Sequence, residues 1–294
     1  MGKASRRQRG ADRGSRKPAR APFESRPFRG LPNETDWVAI REILPAATAQ
    51  VTVREDHVPE GGSGEVTVAT VLPLAWPGLH RTDGAVLIGS QAGNSSGDPS
   101  RDLAAQLLAA LTAEQGHPVT TLPQVTADSP RLQDVLAQDT TFEVTVHEGF
   151  DFWVEGQDLE EDAQASLERA NESVVPTTAM AALPSAYFVR IGDRTHIRLV
   201  LPEDEDVATD ALARLHAAGE DGLGDGTRLL GAFRAGGLLV PVWDLDPELE
   251  AADYEEALAD WGRRYARAVQ IDAPLSADER RARSGLLSRQ VTLR

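Results

Sequence analysis

The sequence predicts an α+β fold in which antiparallel sheets are covered by helices and a disordered basic N-terminal arm leads into them. Three observations carry this. Short apolar runs flank glycine reversals, most clearly in Thr227–Asp244, where Gly236 and Gly237 supply the positive φ of a tight turn. Stretches of helical periodicity with recognisable caps separate these runs. Written as elements, the order hairpin, helix, hairpin, helix occurs twice. The chain therefore divides into an arm (1–29), a first α+β half (30–175), a duplicated second half (176–270) and an Arg-rich C-terminal helix or tail (271–294).

Taken in order, residues 1–29 combine Arg, Gly, Ser, Pro and Ala with almost no large apolar side chain before Phe23. Such a segment buries too little surface to offset its ordering entropy, and Phe23 and Phe28 are the residues that dock and end it. Thr35–Leu44 is a helix capped by Thr35 or Asn33, stopped by Pro45, with Trp37, Ile40 and Leu44 on one face. Gln50–Arg54 alternates as a strand, and His57–Gly64 is a loop. Glu65–Leu72 and Ala85–Gln91 read as a hairpin with an Asp83-Gly84 turn in its connection. Asp98 caps a helix with Pro99 at its first position and Leu103, Leu107, Leu108 and Leu111 as its buried stripe.

A shorter helix runs from Ser129-Pro130 to Gln138, then a strand from Phe142 to Val146 turns at Glu148-Gly149 into Phe150–Glu155. Asp158 and Glu161 form a capping box for a helix to about Asn171, and 172–184 is a linker. In the second half, Ala186–Ile191 and Thr195–Leu201 pair across Gly192-Asp193. The helix Asp206–Ala218 buries Val207, Ala211, Leu212 and Leu215 and stops at Gly219. Pro241 marks the last strand of the 227–243 hairpin as an edge or a bulged strand. Asp246 caps a helix from Pro247 with Tyr254, Leu258, Trp261 and Tyr265 inward, and Ser276 with Glu279 opens the last helix.

Composition excludes more than it assigns. There is no cysteine, which removes disulfides, thiolate nucleophiles and Cys-ligated metals. The only lysines, Lys3 and Lys17, lie in the arm, so the body cannot hold a P-loop lysine, a kinase lysine or a Schiff base. No apolar run spans a bilayer, and the charged start has no apolar stretch behind it, so the expectation is a cytoplasmic protein. The net charge of −16 conceals a split: residues 1–29 carry ten Lys or Arg against Asp12 and Glu24, and the body carries twenty arginines against forty-four acids.

Candidate chemistry is sparse. Gly93-Asn94-Ser95-Ser96-Gly97 matches the Gly-x-Ser-x-Gly elbow of serine hydrolases, with His147 or His196 as the base, but the helix starts late for an elbow and no parallel sheet is expected. Gly222–Gly226 follows a helix, the wrong polarity for a phosphate cradle. His147, Glu148 and Asp151 lack the spacing of a metal site, and Glu203–Asp206 reads as a solvated helix start. Trp243-Asp244 lacks the repeat that would make it a propeller signature, and Trp153, Trp243 and Trp261 read as core. No cofactor and no metal are expected. Arg6, Arg7, Arg9, Arg13, Arg16 and Arg20, with Lys3 and Lys17, have the composition of a phosphate-contacting arm.

The strings Met1–Arg7, Gly30–Ala39, Gly149–Trp153, Val240–Asp244 and Gly285–Arg294 together resemble an actinobacterial family of about 300 residues and uncharacterised function, over essentially the whole chain. Its members are often labelled preprotein translocase SecA or topoisomerase II. The residues support neither label, since the body has no Walker lysine and the chain lacks a cysteine-based zinc tail. The resemblance implies a high-GC bacterial cytosol and brings no catalytic residue.

The leading reading is a non-enzymatic binding protein whose arm contacts RNA or the ribosome. One alternative is a protein–protein adaptor that takes a basic partner on its acidic body. The other is a hydrolase using Ser95.

Overall fold

A computed structural model describes residues 19–93, 96–154 and 159–288, without the side chains of 287 and 288. The first helix, α1 (Glu34–Glu42), starts after Asn33, whose backbone is left-handed (φ 50°) and whose amide donates to the Phe142 carbonyl at 2.8 Å instead of capping the helix. The first sheet contains β1 (Ala47–Thr52), β2 (Glu65–Ala69), β3 (Gly78–His80), β4 (Val86–Gly89), β5 (His117–Val119) and β6 (Thr145–Val146), in the order β5-β3-β4-β2-β1-β6. Its helices are α2 (Pro99–Leu111), the single turn α3 (Leu132–Val135) and α4 (Glu161–Asn171).

The expected hairpin of Glu65–Leu72 with Ala85–Gln91 is a parallel pair, with Thr67 opposite Leu87 and Ala69 opposite Gly89. The connection forms a strand of its own, β3, which reverses onto β4 through the Asp83-Gly84 turn and so sends β4 alongside β2 in the same direction. All four residues of β4 are buried, as in strands covered on both faces. Of the expected segment Phe150–Glu155, the described residues 150–154 form no strand: a 3₁₀ turn at Asp151–Trp153 stacks the Phe150 and Trp153 rings 4.5 Å apart. The Ser129–Gln138 helix shrinks to α3. The first half therefore does not repeat the order of the second.

The second sheet is antiparallel throughout: β7 (Thr177–Ala179), β8 (Ala186–Ile191), β9 (Arg194–Leu199), β10 (Arg228–Ala235) and β11 (Leu238–Asp244), ordered β10-β11-β9-β8-β7. Its edge strand β7 lies within the expected linker. β11 is an interior strand, and Pro241 sits opposite Ala232 beside a register shift in β10 between Leu229 and Gly231. Three helices accompany it: α5 (Glu205–Ala218), α6 (Glu255–Val269) and α7 (Ala277–Ser288). Val207 is turned outward, and Asp246 accepts from the Glu248 amide at 3.0 Å in a turn well before α6 begins. The Ser276–Glu279 capping box forms as read. The fold is thus α+β with mainly antiparallel sheets.

The two halves share a core. Tyr187, Val189, Leu238 and Val240 of the second sheet join α1, Val51, Val66 and Val68 of the first sheet, and Leu103 and Leu107 of α2 in one buried cluster. The other face of the second sheet, with Phe188, Ile197, Leu199 and Trp243, packs on Leu212 of α5 and on Leu258, Trp261 and Tyr265 of α6. At the junction Ser185 Oγ donates to Asp36 Oδ1 at 2.5 Å and lies 2.7 Å from Thr35 Oγ1. Burial raises the Asp36 pKa above the ordinary carboxyl value, and burial with the neighbouring Asp36 raises that of the Tyr187 phenol.

Residues 19–29, assigned to the arm from sequence, are docked as a strap across both halves. The Glu24 amide donates to the Gly97 carbonyl at 2.9 Å, and Gln133 Nε2 donates to the Pro27 carbonyl at 2.9 Å. Arg26 pairs with Glu34 at 2.7 Å and with Asp204 at 2.5 Å. The strap passes so close to the β10–β11 turn that a Cβ on Gly237 would lie 2.2 Å from the Ser25 carbonyl oxygen. Phe28 is fully buried and stacks on Trp37, whose other face meets Phe142 at a ring separation of 3.7 Å. Phe23, by contrast, is 82% exposed.

Phe28→Ala should therefore cost about 3–5 kcal/mol in urea unfolding, the usual range for emptying a buried aromatic site, and speed tryptic cleavage after Arg29. Phe23→Ala should change neither. Equal behaviour of the two variants would show that the strap is not held by the Phe28–Trp37 stack.

Candidate functional site

Three loops, a helix start and the strap enclose a cleft on the described surface. Because β2 and β4 run parallel, the chain leaves β4 on the side where β2 ends and enters α2 through Ser90–Asp98. Asp98 caps α2, accepting from the Ser100 amide at 3.1 Å, and is itself flanked by Arg101 at 3.1 Å and Arg131 at 3.3 Å. The cleft in front of this entry has a volume of about 720 Å3. It is lined by Ala75 and Pro77 before β3, by Ala92, Gly93 and Ser96, by Asp102 of α2, by Thr120–Val125 after β5, and by Arg20 of the strap. That size falls within the range of small-molecule and cofactor sites.

Three features of this cleft ask for an explanation beyond packing. Asp102 is 2% exposed, yet among the described residues its carboxylate accepts only from the Ser96 amide, at 3.0 and 3.3 Å. One helical turn along the same face, Gln106 is fully buried, and neither its Oε1 nor its Nε2 has a hydrogen-bond partner. The next turn brings Ala110 onto Gly78, beside the cleft residue Pro77. Leu74 and Ala75 both hold positive φ (53° and 54°), and Leu74 is 86% exposed. Left-handed backbone at consecutive non-glycine residues costs about 1–3 kcal/mol each, and orphaned buried polar groups are rare; both concentrate at functional sites.

The residues singled out from sequence fall in different places. Lys3, Arg6, Arg7, Arg9, Arg13, Arg16 and Lys17 lie outside the described residues, as do Asn94, Ser95 and Asp158. Arg20 is described: it bridges to Thr126, the Ala127 amide donates to the Ala19 carbonyl at 3.1 Å, and Arg20 lines the cleft. The arm therefore reaches the body at the cleft. The two histidines considered as a base are engaged elsewhere. His147 Nε2 lies 2.8 Å from Thr48 Oγ1, and His196 Nδ1 lies 2.7 Å from the Thr195 carbonyl oxygen.

Among the described residues no three His, Asp or Glu side chains are grouped to hold a metal. Glu203–Asp206 proves to be a hub instead of a merely solvated helix start. Glu203 accepts from Tyr265, Asp204 pairs with Arg26, Glu205 with Arg234 and Asp206 with Arg283. Trp243 and Trp261 are fully buried, and the Trp153 indole donates to the Val71 carbonyl at 2.8 Å. The Gly222–Gly226 run is a turn, closed by Thr227 Oγ1 between the Leu223 amide and the Gly224 carbonyl. On β9, Arg198 is buried beside Tyr187 and Val242 with no ion pair among the described residues, and burial lowers its pKa from the ordinary guanidinium value.

Gln106→Met keeps the side-chain volume and removes two unpaired polar atoms, so it should raise stability by about 1 kcal/mol or more, read as an upward shift in Tm. A fall in Tm would show that the amide has a partner that holds the fold.

The model of a family of unknown function, DUF5926, matches residues 27–294, and the chain belongs to that family. No curated protein and no solved structure matches it. The matched region contains the cleft walls other than Arg20 and begins after the cationic residues 3–20.

Proposed function

We propose that this protein is a non-enzymatic, cytoplasmic RNA-binding protein whose arm supplies the phosphate contacts. Lys3, Arg6, Arg7, Arg9, Arg13, Arg16, Lys17 and Arg20 are the cations of that arm, and RNA or a ribosomal surface is the partner. The observation that carries the reading is the tethering of a strongly cationic segment at Ala19–Arg20, on the rim of a polar cleft, in a body of opposite charge. Forty-four acids against twenty arginines in residues 30–294 repel a polyanion, so a nucleic acid is held where the arm leaves the body.

An adaptor that captures a basic partner on the acidic body has less support. The acidic run Glu203–Asp206 is already engaged by Tyr265 and by arginines of this chain. Among the described residues no helix is long and apolar enough to cross a membrane.

The test is co-sedimentation with ribosomes and with bulk RNA between about 50 and 200 mM salt. Full-length protein is compared with a variant carrying Arg6, Arg7, Arg9, Arg13 and Arg16 as Gln. Residues 19–29 stay intact, because removing Phe28 would disturb the fold. Single-strand binding weakens with a log–log slope of about −0.7 per phosphate contacted, so eight contacts imply about a thousandfold loss over that salt range. The variant should bind far more weakly and with a shallower slope. Equal pelleting of both proteins would move the function to the body, and pelleting of neither would end the RNA reading.

A further inference from the structure

We propose that the cleft binds one ribonucleotide unit, its phosphate on Arg20, its ribose 2′- and 3′-hydroxyls on Asp102, and its base against the wall of Pro77, Leu122 and Pro123. The proposal rests on the RNA reading for the polymer that delivers such a unit. The cleft itself is a feature of the folded body and strap.

The ligand chemistry follows from what the walls leave unsatisfied. A carboxylate has room for about four hydrogen bonds, and Asp102, almost fully buried, receives one donor, the Ser96 amide. Among the described residues it forms no ion pair, so its ligand must bring donors. Two adjacent hydroxyls suit the fork of a carboxylate, and bonds to an ionised acceptor are about twice as strong as neutral ones. Arg20, an exposed residue lining the same cleft, makes no ion pair or side-chain hydrogen bond among the described residues, which leaves its guanidinium to an anion. The same cleft carries a mixed wall whose apolar part, Pro77, Leu122 and Pro123, suits a flat ring. An anion, a vicinal diol and a flat ring in a volume of about 720 Å3 together define a ribonucleotide.

The diol also fixes the source. Inside an RNA strand the 3′-oxygen is esterified, so only a free nucleotide or the 3′-terminal residue offers both hydroxyls. One helical turn on from Asp102, the buried Gln106 amide has no hydrogen-bond partner among the described residues.

The experiment is calorimetric titration of the full-length protein with AMP and UMP at about 150 mM salt. dAMP and adenosine serve as comparisons, and short RNAs ending in a 3′-hydroxyl or a 3′-phosphate test the polymer end. The expected result is one saturable site, with dAMP at least about tenfold weaker and Asp102→Asn weaker by about tenfold or more. Asp102 also anchors the Ser96 loop, so the exposed Arg20→Ala provides a variant that leaves the fold alone. It should weaken AMP and leave adenosine unchanged. Preference for the 3′-hydroxyl RNA identifies the strand end as the source, and tight AMP binding without that preference identifies the free nucleotide.

Absence of binding by AMP and UMP, equal affinity for AMP and dAMP, or unchanged AMP affinity in both variants would overturn the proposal. The same preparations in the sedimentation assay separate the two readings. Arm-dependent RNA binding without nucleotide binding removes the cleft proposal alone, and nucleotide binding without RNA pelleting removes the polymer.

Discussion

The Trp37 ring, held between Phe28 and Phe142, is the constraint on which the arrangement of both halves depends. Its three members come from the strap, from α1 and from the segment before β6, and all three side chains are fully buried. Burying a side chain of this size contributes about 1.5–3 kcal/mol, but the larger consequence is positional. Phe28 fixes where the strap crosses the molecule, and the strap then meets Gly97, Asp204 and the Gly236-Gly237 turn on the way. Together with the Arg20–Thr126 bridge and the hydrogen bond from Ala127 to Ala19, that anchor gives the arm's exit a defined station beside the cleft.

The cleft depends on a second, topological constraint. A parallel pair inside a mainly antiparallel sheet sends β2 and β4 out on the same side, and the chain must then cover that end with loops. These loops carry the strained Leu74-Ala75 pair and Ser96, whose amide donates to the buried Asp102. Loops set on a rigid sheet and helix are the usual carriers of binding residues. The body's opposite charge limits where a polyanion approaches, which leaves the arm's exit as the favourable route.

Local signals were legible in the sequence because a few neighbouring residues decide them. Asp98-Pro99 opens α2, Gly219 closes α5, Gly236-Gly237 turns β10 into β11, and Ser276 with Glu279 caps α7. Pairing between distant strands was not legible. The apolar runs at Glu65–Leu72 and Ala85–Gln91 were found, but β3 is only three residues long, too short for periodicity to reveal that it intervenes and makes them parallel. The cleft was half visible. Gly93–Gly97 stood out, though as a nucleophile elbow, whereas nothing local in the sequence separates Asp102 and Gln106 from other polar positions on an amphipathic helix. Nothing in Thr120–Val125 marks a wall, and the docking of 19–29 depends on surfaces far away in sequence.

The central claim is that arm and cleft address the same nucleic-acid chain. Photo-cross-linking of RNA to the full-length protein, followed by mapping of the modified peptides, tests it most directly. The expected pattern places cross-links in residues 1–20 and also in 120–125, the cleft wall beside Arg20. Cross-links confined to the arm, or spread over α6 and α7 with none at 120–125, would contradict a shared path and leave the cleft without a part in RNA binding.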